Sequence, residues 1–108
     1  MRWKSRPLAG LAIVMGLMGS SAALAARETK EQAIKLAQQA YQEALARGAS
    51  LSQGPCLGVI MPGWVADIAH EPRRTVDDRP ENQCAAYRMG EAGHFVELDP
   101  QGNVIRVR

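Results

Sequence analysis

Motifs that announce a particular chemistry are missing from this chain. No Gly-x-Ser-x-Gly elbow presents a serine, no glycine-rich cradle follows a strand to hold phosphate, and no EF-hand spacing gathers acids around calcium. No internal repeat or low-complexity tract is visible. Aromatic residues make up 5% of the chain and cysteines number two, so both kinds of anchor are few enough to argue one by one. No cofactor is expected.

A strong excess of either charge is also lacking. Lys and Arg number 13 against 11 Asp and Glu, a formal +2. Three of those bases, Arg2, Lys4 and Arg6, sit in a targeting segment that holds no acid, and without them the balance is 10 against 11. A near-neutral remainder offers no basic surface for nucleic acid or anionic lipid.

The targeting segment has the three parts of a Sec-type signal peptide. A basic stretch (Arg2, Lys4, Arg6) precedes an uncharged apolar core of 11 residues, 8–18, and small residues follow over 19–26. Ala23-Leu24-Ala25 matches the small-x-small pattern of a cleavage site, which places the cut after Ala25 and assigns 1–25 to the signal and 26–108 to one small domain. The competing reading is an uncleaved anchor, since 19 residues, 8–26, carry no charge. Ser20, Ser21 and the alanines make its second half weakly apolar, so no stable membrane span is expected after cleavage. No cysteine near the cut could carry a lipid, and no Arg-Arg pair precedes the core. The expected location is periplasmic or secreted.

In an oxidising compartment the two cysteines, Cys56 and Cys84, read as one disulfide. A domain this small buries only about 60–65% of its unfolded surface, so a crosslink is useful to it.

Thr29 with Gln32 three residues on reads as a capping box, with Glu28 and Glu31 suited to a helix N-terminus. Ile34, Ala37, Tyr41, Ala44 and Leu45 form an apolar stripe, and Arg47-Gly48 is an end signal, so a helix is predicted over 30–47. Short strands are predicted at 57–61 and 64–69 around a Pro62-Gly63 turn, and at 83–89. The C-terminal pattern is a hairpin, 95–98 and 104–107, joined by Asp99-Pro100-Gln101-Gly102 with the residue preferences of a type I turn. The segment 71–82, with seven charges and two prolines, reads as an exposed loop. The sum is a two-layer α+β domain: one N-terminal amphipathic helix on a four- to five-stranded antiparallel sheet.

Three functional constellations can be drawn from these residues. Cys56, His70, Cys84 and His94 are zinc-ligand types, but spacings of 14, 14 and 10 lack the close pairs of structural zinc sites. Asp67 with His70 or His94 could serve a small hydrolase or isomerase, although Asp67 and His70 would face opposite ways on a continuing strand. The third is a binding surface of Arg73, Arg74 and Arg79, in a loop that also holds Asp77, Asp78 and Glu81, together with Trp64. Trp64 has a second reading, as a core residue packed with Tyr41 and Phe95.

The opening Thr29-Lys-Glu-Gln-Ala-Ile-Lys-Leu-Ala and the closing Phe-Val-Glu-Leu-Asp-Pro-Gln-Gly-Asn-Val-Ile at 95–105 resemble the two ends of PepSY-type domains. Those are small exported α+β modules, cystatin-like in shape and linked to protease inhibition or to regulation of enzymes in the cell envelope. The two cysteines and the Pro- and Arg-rich loop stand outside that pattern, so no inhibitory residue is carried over. The resemblance implies the architecture more than an activity; the missing catalytic constellation, the small size and the tethered charged loop lead to the expectation of a non-enzymatic binding or regulatory module whose partner is an envelope protein or peptide.

Overall fold

The structure is a computed structural model describing residues 5–108, with side chains described from residue 21. The expected basic stretch and apolar core of the signal lie outside the residues whose side chains are described. Two compact units are distinguished, Met1–Lys30 and Glu31–Arg108, and the second holds the sheet and everything that follows.

Helix α1 spans Ser5–Ala46, so its start differs from the expected residue 30. Thr29 is not a cap here: its Oγ1 donates to the Ala25 carbonyl at 2.9 Å, a bond made back along the helix. The physical reason is composition, because residues 22–27 are alanine, leucine and arginine, strong helix formers that carry the helix through the expected start. The C-terminal end lies where the sequence places it, with Gly48 at φ 77°.

The buried face of α1 is narrow and made of small residues. Ala33, Ala37 and Ala44 are fully buried and Tyr41 nearly so, whereas Leu45, expected in the stripe, is 47% exposed. The stripe is thus rotated to put small alanine side chains against the sheet, with Ile34 partly buried beside them. Tyr41 reaches furthest: its hydroxyl donates to the Pro100 carbonyl at 2.9 Å, pinning the helix to the last turn.

The sheet has four strands, β1 (Cys56–Met61), β2 (Trp64–Ile68), β3 (His94–Leu98) and β4 (Val104–Val107), in spatial order β1-β2-β3-β4. Both predicted hairpins are present and antiparallel. The central pair is not: β2 and β3 run parallel, so the sheet is mixed rather than antiparallel. The cause is the connection. Parallel neighbours need a crossover of about a dozen residues or more, and residues 69–93 supply it.

That crossover also replaces the strand expected at 83–89 with a single helical turn, α2 (Ala85–Arg88). The loop expected at 71–82 is built of two 3-10 turns, Thr75–Asp78 and Pro80–Asn82, with Asp77 buried within the first. Strand β2 is covered on both faces. Trp64, Ala66 and Ile68 join Val96, Leu98 and the α1 alanines in the main core, while Val65 packs with Cys84, Ala92 and Phe95 on the other side.

Candidate functional site

Side-chain alternation places Val65 and Asp67 of β2 on the face turned away from α1, and the parallel register sets Val65 beside Phe95 and Asp67 beside Glu97. Cys56 is the antiparallel partner of Asp67 on the neighbouring strand. Its disulfide to Cys84, with Cα atoms 5.1 Å apart, ties the crossover down over this face. Between the sheet and the tied segment lies a cavity of about 190 Å³. Val65, Phe95, Tyr87 and Cys84 make its apolar wall, with the Tyr87 and Phe95 rings edge to face at 5.2 Å. Asp67, Arg73, Gln83 and Glu97 are its polar groups.

The two carboxylates in the cavity are in opposite situations. Glu97, 4% exposed, is held by two arginines: Arg73 Nη1 donates to one oxygen at 3.0 Å and Arg106 Nη1 to the other. Arg73 is fully engaged, since its Nε and Nη2 also donate to Asp78 at 3.2 and 2.9 Å. Asp67 Oδ1 is buried and has no hydrogen-bond partner among the described residues. Burial, and next the charge of Glu97, push the Asp67 carboxyl up to about 7, with Arg73 acting the other way.

A second polar cluster lies at the start of the crossover. His70 and Asp77 are both buried, with His70 Nδ1 2.9 Å from Asp77 Oδ1. The backbone amides of His70 and Arg74 donate to Asp77 Oδ2 at 2.9 and 2.8 Å. Burial opposes the charge on Asp77, but these two amides and the His70 ring outweigh it and hold the carboxyl below the usual range. An ionised Asp77 only accepts, so the His70 proton sits on Nδ1. Gln83 donates to the Asp77 carbonyl and Asn82 to the Val76 and Gln53 carbonyls, so the segment is stitched to itself and to the chain before β1. His70 and Ser52 line a second cavity, of about 400 Å³.

No family model, curated protein or solved structure matches this chain.

Cys56 and Cys84 are bonded to each other and cannot ligate as thiolates, which removes the zinc set. Asp67 and the two histidines are not brought together. Asp67 lines the first cavity and His70 the second, while His94 is on the α1 side of the sheet, stacked on Trp64 at 4.6 Å. Trp64 is 7% exposed and belongs to the core with Tyr41, so it offers no recognition ring, and Phe95, its other expected neighbour, packs on the opposite face. The arginines divide: Arg73 is bound into the Glu97 network, Arg74 lines the second cavity, and Arg79 is exposed. Glu97, Gln83 and Tyr87 carry no functional signal in the sequence. Glu97 reads in sequence as an ordinary polar position in an alternating strand, and the parallel register that sets it beside Asp67 has no local signal.

Proposed function

We propose that this chain is an exported, non-enzymatic binding module of the bacterial cell envelope, with its recognition surface on the disulfide-tied crossover. The observation that carries this reading is the cavity between β2, β3 and the crossover, an apolar-walled concavity with a few convergent polar groups and one strongly perturbed carboxyl. Export is supported by the N-terminal pattern and suits a disulfide-stapled domain. The PepSY-type resemblance of the two chain ends points the same way, toward a regulator of an envelope protein or peptide.

The test is crosslinking of the full chain in envelope extract, with the crosslinked residues mapped by mass spectrometry. Crosslinks concentrated on 71–92 support the reading. Crosslinks confined to α1 or to the β3–β4 turn overturn it.

One observation favours a second reading. His70, whose ring is paired with an Asp77 fixed by two amides, lines a cavity with Ser52, and the three are the residue types of a hydrolytic triad. Labelling of Ser52 by a fluorophosphonate probe, lost in His70→Ala, supports a small hydrolase; an unlabelled serine at millimolar probe removes it.

A further inference from the structure

The charges around the first cavity do not balance. Arg73 and Arg106 are shared among three acids, Glu97, Asp78 and Glu71, and neither forms an ion pair with a fourth acid, Asp67. Both arginines hold Glu97, Arg73 also holds Asp78 and Arg106 lies near Glu71, so the uncompensated charge falls on Asp67, whose Oδ1 is buried without a partner among the described residues. A buried carboxylate left in this state is costly, and a bound cation relieves it.

The cavity restricts what that cation can be. At about 190 Å³ it is smaller than the 300–1,000 Å³ typical of sites for whole cofactors or drug-sized ligands, and is closer to the size of one side chain. Its walls are Val65 and the perpendicular rings of Tyr87 and Phe95, which suit an alkyl stem, and aromatic walls also favour a cationic head. A hydrated metal ion has no use for those walls. Tyr87 is 43% exposed, so the aromatic wall extends to solvent, where a longer chain carrying the stem would continue.

We propose that this cavity binds an alkylammonium or alkylguanidinium group, presented as a basic side chain of a peptide partner, with Asp67 as counter-ion and Tyr87 and Phe95 against the stem. Arg73 is a positioning residue: by neutralising Glu97 it leaves Asp67 as the sole free anion. The proposal rests on the binding-module reading and gives it a ligand class.

The experiment is amide NMR titration of the folded, disulfide-bonded protein at pH 8. The probes are N-acetyl-lysine methylamide, N-acetyl-arginine methylamide, pentylamine as a free amine, and N-acetyl-norleucine methylamide as the uncharged isostere. At least one cationic probe is expected to shift Val65, Gln83 and Tyr87 and to bind at least tenfold more tightly than norleucine. Equal binding of pentylamine and the lysine probe supports the site and identifies the headgroup as sufficient; tighter binding of a peptide probe supports the peptide source. Asp67→Asn should weaken the best cation at least tenfold with the fold retained and the melting temperature at pH 8 no lower than wild type, and Tyr87→Ala should weaken it with Asp67 intact. Equal binding of norleucine and the cations, no shift with any cation, or an unchanged affinity in Asp67→Asn overturns the proposal. Crosslinks on 71–92 that persist in Asp67→Asn would leave the binding module standing while this ligand class falls.

Discussion

Asp67 and Glu97 are register partners on the parallel strands β2 and β3, and of the two only Glu97 has its oxygens compensated. Their proximity follows from the parallel crossover that residues 69–93 make possible, and the same residues supply Arg73, which binds one carboxylate of the pair. The candidate site is therefore a by-product of the crossover, and most of its testable consequences are consequences of charge.

The Asp67 carboxyl, raised to about 7 from an ordinary value near 3.8, binds its proton more tightly in the folded state than in the unfolded chain. Its contribution to stability is therefore complete below pH 4 and is lost as pH rises through about 7. Asp67→Asn removes this slope. Urea midpoints should show the variant more stable than wild type at pH 8, by on the order of 1–3 kcal/mol, and the advantage should vanish near pH 4. A pH-independent difference between the two proteins would contradict the burial argument.

Asp77 works in the opposite direction. With its carboxyl held below the usual range, it stabilises above the ordinary carboxylate range and that contribution is lost as pH falls through its folded-state value. Asp77→Ala strands two backbone amides and the His70 ring, which should cost about 3 kcal/mol or more at pH 7 and much less near pH 3. Thermal melts at the two pH values give the comparison.

Gly54 packs against that same carboxylate. Its φ is +70°, and a Cβ there would lie 2.5 Å from Asp77 Oδ1. Gly54→Ala should lower stability by about 1–3 kcal/mol. A variant melting like wild type would mean that the Asp77 pocket relaxes freely.

The contact of α1 with the last turn gives an independent check. Gly102 sits at φ +92°, and a Cβ on it would lie 2.7 Å from the Tyr41 ring. Gly102→Ala should therefore destabilise clearly more than Tyr41→Phe, which removes only the bond to Pro100 and should cost about 1 kcal/mol. Denaturant titration of both variants reads the order.

Reduction of Cys56–Cys84, which closes a separation of 28 residues, should lower stability by about 3–4 kcal/mol in the chain-entropy account. It should also release the wall of the first cavity, so the resonances of Val65 and Tyr87 should shift on reduction. An unchanged melt would separate the crosslink from the fold.

Much of the architecture is local and therefore legible in the residues. The Asp99–Gly102 turn closes with a Gly102 amide to Asp99 carbonyl bond at 2.9 Å, and Asp99 Oδ1 takes the amides of Gln101 and Asn103, as the residue types predict. The Pro62-Gly63 hairpin, the helix end at Gly48 and the cysteine pairing depend on neighbours or on counting, and they appear as expected. The helix start does not, because Thr29 caps only if the chain before it stops being helical.

What the residues alone determined is the α+β class, the helix end, both hairpins and the single disulfide, since turn chemistry, periodicity and an even cysteine count act over short distances. Tertiary structure decided the rest. Strand direction between β2 and β3 depends on where a long charged crossover can be laid across the sheet, which no local pattern encodes. That choice placed Asp67 beside Glu97, moved His70 to Asp77, and sank Trp64 into the core, because burial and charge compensation are properties of the assembled faces rather than of any one segment.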